Sequence, residues 1–278
     1  MDFLIYLKAI ILGLVEGLTE FAPVSSTGHM IIVDDLWLKS KEFLGNEGVA
    51  NTFKVVIQLG SILAVVVVFK DRFLDLLGLK RKSYKLGTKA PGHLKLTHVI
   101  VGLIPAGVLG VLFEDYIDEY LFTTNTVLIG LIVGAVLMIV ADKFSKKAPQ
   151  IETVDKITYK QAFSIGLIQC LSLWPGFSRS GATISGGVLL RLSHRAAADF
   201  TFIMAVPIMA GASFLSLLKK WEYLTMDAMP FFVAGFISAF VFALLAIRFF
   251  LKLIDKIKLT PFAIYRIVLA VIIYLFLI

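Results

Sequence analysis

Two apolar stretches of this chain are interrupted near their middles by residues that lipid cannot solvate. Phe3–Val33 carries Glu16, Glu20, Pro23 and the run Ser25-Ser26-Thr27-Gly28-His29. Tyr159–Leu190 carries Gln169, Pro175-Gly176 and Ser178-Arg179-Ser180-Gly181. An unsatisfied backbone group in hydrocarbon costs roughly several kcal/mol, so a polar, helix-breaking centre must be buried in protein or line a wet cavity. Each stretch is therefore read as a re-entrant helical hairpin that enters and leaves by the same face.

Six further apolar runs read as transmembrane helices: Thr52–Phe69, Thr97–Phe113, Val127–Ala141, Ala197–Leu218, Met229–Phe250 and Pro261–Ile278. Each is close to the roughly 20 residues that a hydrocarbon core requires. The composition, 58% hydrophobic and 17% charged, departs from the roughly half apolar and quarter charged make-up of soluble domains. The 278 residues are thus expected to form one all-α polytopic membrane domain, with six spans and two hairpins.

The two broken stretches match each other. Gly13–Phe21 aligns without gaps on Gly166–Trp174, 153 residues on (166 − 13). Ser25 then falls on Ser178, Ser26 on Arg179, Thr27 on Ser180 and Gly28 on Gly181. Each hairpin precedes three expected spans, which makes residues 1–150 and 151–278 two copies of one unit. An odd number of crossings per copy turns the second upside down, giving an inverted-topology repeat.

Charge placement leads to the same topology. Lys70, Arg72, Lys80, Arg81, Lys82, Lys85, Lys89 and Lys95 share one loop, and Lys143–Lys160, Arg191–Arg195 and Arg248–Lys258 are also basic. The inverted arrangement puts all four on the cytoplasmic face and the acidic Glu114–Tyr120 segment outside, with both termini. Lys39, Lys41, Lys219 and Lys220 are minority exceptions. The net charge of +7 is explained by loops facing anionic lipid headgroups, and no nucleic-acid partner is expected. Cys170 is the single cysteine, which rules out an intramolecular disulfide and a cysteine-rich metal site; it reads as a small core residue. The first apolar run lacks the basic start of a cleaved signal, so the N-terminus is expected to be retained. A homodimer is compatible with the sequence, which does not set the oligomeric state.

Glu16 and Glu20 lie four apart and share a helix face. They are either an interfacial helix end or a pair that handles a divalent cation or a proton, since Mg²⁺ and Ca²⁺ take carboxylate and phosphate oxygens. Ser25, Ser26 and Thr27 exceed the single hydroxyl that a helix cap needs, and a helix N-terminus binds phosphate. Ser26 is read as a nucleophile activated by His29. Attack by His29 itself or by water remains open. In the second loop Arg179 requires an anion, and its planar fork suits phosphate. Gly176 would let the backbone approach that anion, and Ser178, Ser180 and Thr183 would add donors. The plainer role for Arg179 is a salt bridge to Glu16 or Glu20 that ties the hairpins together. His93 and His98 read as structural, His194 as a headgroup-level residue, and Gln58 as a cavity-lining residue.

The segments Glu16–His29 and Pro175–Thr183 resemble the two signatures of the undecaprenyl-diphosphate phosphatase family, the bacitracin-resistance type. The likeness extends through Val56–Ser61 and Pro261–Arg266, over essentially the whole chain; Ala22 stands where a larger apolar residue is expected. The resemblance implies a bacterial inner-membrane enzyme that converts undecaprenyl diphosphate to undecaprenyl phosphate, recycles the lipid carrier for wall polymers and confers bacitracin tolerance. It implies a divalent cation (Mg²⁺ or Ca²⁺) and a site open to the outer face. It maps function onto Glu16, Glu20, Ser26, His29 and Arg179. The residues alone also admit a transporter that flips the lipid phosphate, because broken helices in inverted repeats are typical of carriers. A lipid-binding structural subunit would leave Ser26 and His29 unexplained.

Overall fold

The computed structural model describes residues 3–79, 93–145 and 149–277. Lys80, Arg81, Lys82, Lys85 and Lys89 of the basic loop lie outside the described residues, as do both chain ends. Among the described residues the chain is all helical, with no strand beyond an isolated bridge between Ile151 and Leu192.

The first half contains α1 (Phe3–Thr19), α2 (Ser26–Met30), α3 (Ser40–Phe43), α4 (Glu47–Val68), α5 (Lys70–Leu76), α6 (Leu96–Leu112), α7 (Glu114–Tyr120) and α8 (Thr124–Phe144). The second contains α9 (Tyr159–Gln169), α10 (Arg179–Leu189), α11 (His194–Lys219), α12 (Met229–Ile257) and α13 (Thr260–Leu277). Helices α4, α8, α11 and α12 are long and apolar enough to cross a membrane, and Leu96–Leu112 and Thr260–Phe276 are shorter apolar helices. Side chains start several of them. Asn46 caps α4, Thr123 and Thr126 form a capping box on α8, and Thr158 and Gln161 form one on α9. Each satisfies amide groups that a helix start leaves without partners.

Several boundaries differ from expectation; α4, for example, starts at Glu47 rather than Thr52. Helix α12 runs to Ile257 rather than Phe250, because Arg248, Lys252 and Asp255 fall on its exposed face while Leu251 and Ile254 stay buried. The return limb after α2 runs past Val33 as a π-helical segment, Ile31–Leu38. Asp34 is buried there. Its carboxylate accepts hydrogen bonds from the Ser40 N–H (2.8 Å) and hydroxyl (2.7 Å) and pairs with Lys54 at 2.7 Å.

Helix α1 packs along α12, and α9 packs along α6. In both pairs the close approach depends on glycine. A Cβ on Gly13 would run into the Gly235 carbonyl, and one on Gly166 would run into the Gly102 carbonyl. Lipid tails are as apolar as leucine, so tight contact between small residues is what holds such helices together. Helix α4 lies against α11 and α12, and α8 against α10 and α13. The two broken stretches thereby meet inside the bundle, with their turns facing each other.

Candidate active site

Each turn ends on a serine in the left-handed region. Ser25 has φ 70° and caps α2, its Oγ accepting from the Gly28 N–H at 3.4 Å. Ser178 has φ 73° and caps α10, its Oγ accepting from the Gly181 N–H at 3.2 Å. A non-glycine residue held in that region costs of order 1–3 kcal/mol, so the surrounding contacts must hold both turns in place.

Glu20 joins the two turns. It continues the last turn of α1, its N–H donating to the Glu16 carbonyl at 3.0 Å. Its Oε2 accepts from the Ser26 hydroxyl at 2.6 Å, and its Oε1 accepts from Arg179 Nη2 at 3.1 Å. The Arg179 guanidinium also lies over the Phe21 ring, 5.6 Å from its centre, where the ring face attracts a cation. The Ser180 hydroxyl adds a second bridge by donating to the Ala22 carbonyl at 3.2 Å. The salt bridge that the sequence allows as the plainer role of Arg179 is therefore present. It uses one face of the fork: Arg179 Nη1 is buried without a hydrogen-bond partner.

Glu20, Ser25, Ser26, Thr27, Gly176, Ser178 and Arg179 line one cavity of about 430 Å³, with Gln58 and Gln169. Glu16, one helical turn before Glu20, faces a second cavity of about 400 Å³ with Asn51 and Lys54. The two cavities share Ser26, Thr27, Gln58 and Phe122, so Ser26 stands at the junction. Glu16 is 5% exposed and its Oε1 has no hydrogen-bond partner. Unpartnered acceptor oxygen thus lies on the first hairpin and unpartnered N–H on the second.

Three expectations about side chains do not match this geometry. His29 makes no hydrogen bond to Ser26. Its Nδ1 is 2.8 Å from the Ser25 carbonyl and its Nε2 is 2.6 Å from the Tyr265 hydroxyl. A carbonyl can only accept, so Nδ1 carries the proton and, in a neutral ring, Nε2 accepts from Tyr265. The ring lines a separate, mostly apolar cavity of about 630 Å³. The Ser26 hydroxyl goes instead to Glu20, a charged and stronger acceptor. Thr183 also lies off the cavity: it is buried, donates to the Arg179 carbonyl at 2.8 Å and accepts from Thr201 at 2.9 Å. Ser180 is likewise buried, between Ala22 and Ser178.

Other residues at the site were not read from sequence as site residues. Arg266 is fully buried behind the second turn, with Nη2 donating to the carbonyls of Gly130 (3.1 Å) and Gly176 (2.9 Å). It fixes the peptide that leads into Ser178 and Arg179. Trp174 anchors the same loop through Nε1 to the Thr126 carbonyl at 2.8 Å. Gln169 is buried at the cavity wall with its Nε2 unpartnered. The internal alignment, which sets Gln169 on Glu16, was the signal that could have found it.

Among the described residues there is no cluster of three or more His, Cys, Asp or Glu able to hold a metal ion. A hard cation does not require one. Mg²⁺ is commonly bound by one or two carboxylates, with substrate phosphate and water completing its shell. Glu16 and Glu20, with one buried Glu16 oxygen unpartnered, fit that pattern.

The chain is similar to known proteins over nearly its whole length. The family model described as bacitracin resistance protein BacA matches residues 9–272. An undecaprenyl-diphosphatase of Geobacillus sp. (strain WCH70) is 75% identical, over 99% of this chain and 99% of its own length. That of Geobacillus kaustophilus (strain HTA426) is 77% identical over 96% of each chain, and that of Bacillus subtilis (strain 168) 67% identical over 96% of each.

Proposed function

The chain belongs to the bacitracin resistance protein BacA family, and from that footing we propose that it hydrolyses undecaprenyl diphosphate to undecaprenyl phosphate and phosphate. This returns the lipid carrier to cell-wall synthesis and removes the lipid target of bacitracin. The protein is a multi-pass membrane protein. The observation that carries the catalytic reading is the Arg179–Glu20–Ser26 chain of hydrogen bonds at the cavity wall.

In this reading α4, α6, α8, α11, α12 and α13 cross the bilayer and the two broken stretches are re-entrant hairpins. Residues 1–150 and 151–278 form halves of opposite orientation. The matched turns at Ser25 and Ser178 and the matched glycine contacts at Gly13 and Gly166 support it. The cavity opens to the outer face, where the acidic segment supplies Glu114 and Ile117 to its lining, and both termini lie on that face.

The diphosphate sits against the second turn, where Arg179 neutralises it and the start of α10 offers N–H groups. Phosphoryl transfer depends mainly on such positioning and charge neutralisation. Ser26 attacks the terminal phosphorus and passes its proton to Glu20. The bridging P–O bond breaks, undecaprenyl phosphate leaves, and water then cleaves the seryl phosphate. Glu16 and Glu20 would hold the divalent cation, which supplies further neutralisation of phosphate charge when bound. His29 orders the turn through the Ser25 carbonyl and Tyr265. A carrier that flips lipid phosphate is the second reading, favoured by the paired turns alone. A carrier needs no hydroxyl–carboxylate pair, which weighs the site towards hydrolysis.

The test is phosphate release from undecaprenyl diphosphate by the purified protein, with Mg²⁺ or Ca²⁺ and with chelator. Release that chelator abolishes is expected. Release unaffected by chelator would remove the cation from the mechanism, and no release from folded protein would favour the carrier.

A further inference from the structure

We infer that Gln169 is a substrate-binding residue, whose side-chain amide donates a hydrogen bond to the diphosphate beside Arg179. The inference deepens the phosphatase reading and rests on it.

Gln169 ends α9, is 2% exposed and leaves Nε2 without a hydrogen-bond partner. A buried donor left unpaired costs folding free energy, so an unpaired amide at a cavity wall is explained when a ligand completes it. Ser61 Oγ, Ser185 Oγ and Arg266 Nε are also buried and unpartnered, but none of these residues lines the cavity. Gln169 and Arg179 do, and each holds a buried N–H without a hydrogen-bond partner. Two unsatisfied donors on residues of one lining suit anionic oxygen, with Glu20, already paired to Arg179, and Glu114 the acids of the same cavity.

The internal repeat sharpens the assignment. Gln169 occupies in the second copy the position that Glu16 holds in the first. Glu16 presents an unpartnered oxygen, Gln169 an unpartnered N–H. A carboxylate at 169 would repel a diphosphate, whereas the amide of nearly the same shape donates to it. The single difference between the two side chains separates a face suited to a cation or a proton from one suited to the anion.

The experiment compares wild type, Gln169→Leu and Gln169→Glu in phosphate release from undecaprenyl diphosphate and in thermal unfolding. Gln169→Leu is expected to raise KM about ten-fold, the equivalent of one hydrogen bond to a charged group, with kcat changed far less. Its unfolding midpoint should be unchanged or higher, because an unpaired donor is removed. Gln169→Glu should weaken binding further. An unchanged KM in Gln169→Leu beside an active wild type would overturn the inference and leave the phosphatase reading standing. A raised KM with a lowered midpoint would make Gln169 a packing residue and overturn it too. If wild type releases no phosphate, the phosphatase reading fails. Stabilisation by inorganic pyrophosphate then decides: a shift lost in Gln169→Leu supports the contact, and equal shifts in both proteins reject it.

Discussion

The Ser26 hydroxyl donates to Glu20 Oε2 at 2.6 Å across the turn of the first hairpin. In the proposed mechanism Glu20 accepts the proton of Ser26 as Ser26 attacks. Ser26→Ala is expected to lower kcat by at least about 100-fold, with a small change in KM, because the interaction acts in the transition state. Glu20→Gln should fall similarly, and the double variant should be no worse than the poorer single one, since residues acting as a unit are not additive. Near-normal turnover in Ser26→Ala would point to water as the attacker.

Arg179 reaches Glu20 with one nitrogen and leaves the other unpartnered in the site. Arg179→Lys keeps the charge and loses the fork. Phosphate release should drop by about 100-fold or more, as expected when a bidentate charge-assisted contact is lost. Circular dichroism of the variant should match wild type.

His29 bonds to Ser25 and Tyr265 rather than to Ser26. Tyr265→Phe removes the donor to Nε2, and its effect on kcat should resemble that of His29→Ala. Both should fall short of Ser26→Ala. Equal losses in His29→Ala and Ser26→Ala would restore His29 as the activating base.

Gly166→Ala would drive a methyl group into the Gly102 carbonyl where α9 crosses α6. Backbone cannot yield as a flexible side chain can, so the substitution should cost about 1–3 kcal/mol or more. A lowered thermal midpoint in detergent would register it, and an unchanged midpoint would count against the close packing.

Asp155 accepts from Arg72 Nη1 at 2.8 Å and from the Leu94 N–H at 3.3 Å. Burial pushes its carboxyl up, but these bonds and the positive charge of Arg72 outweigh it and hold the group below its usual range. A carboxyl depressed in the folded state contributes stability that is full above its unfolded pKa. That stability is lost as pH falls through the folded value. Asp155→Asn should therefore be less stable than wild type near neutrality and converge on it in acid. Parallel unfolding curves across pH would exclude the contribution.

Much of the architecture was legible in the residues because bilayer physics is local. An apolar run of sufficient length forms a helix, as at Val127–Ala141, and a polar break such as Ser25–His29 must turn inward. The internal match of Gly13–Phe21 with Gly166–Trp174 likewise needed only the chain itself. The cluster of Glu16, Glu20, Ser26 and Arg179 could be named from sequence because charge inside apolar segments is rare. Which of these residues touch was settled by the tertiary structure. Spacing along a helix sets a face, and Ser26 and His29 are close enough in sequence to meet. Yet Tyr265, 236 residues from His29, takes the imidazole, and Glu20 takes the hydroxyl. Arg266 and Gln169 stayed hidden for the same reason: a buried side chain acquires its role from carbonyls and cavity walls that distant segments supply.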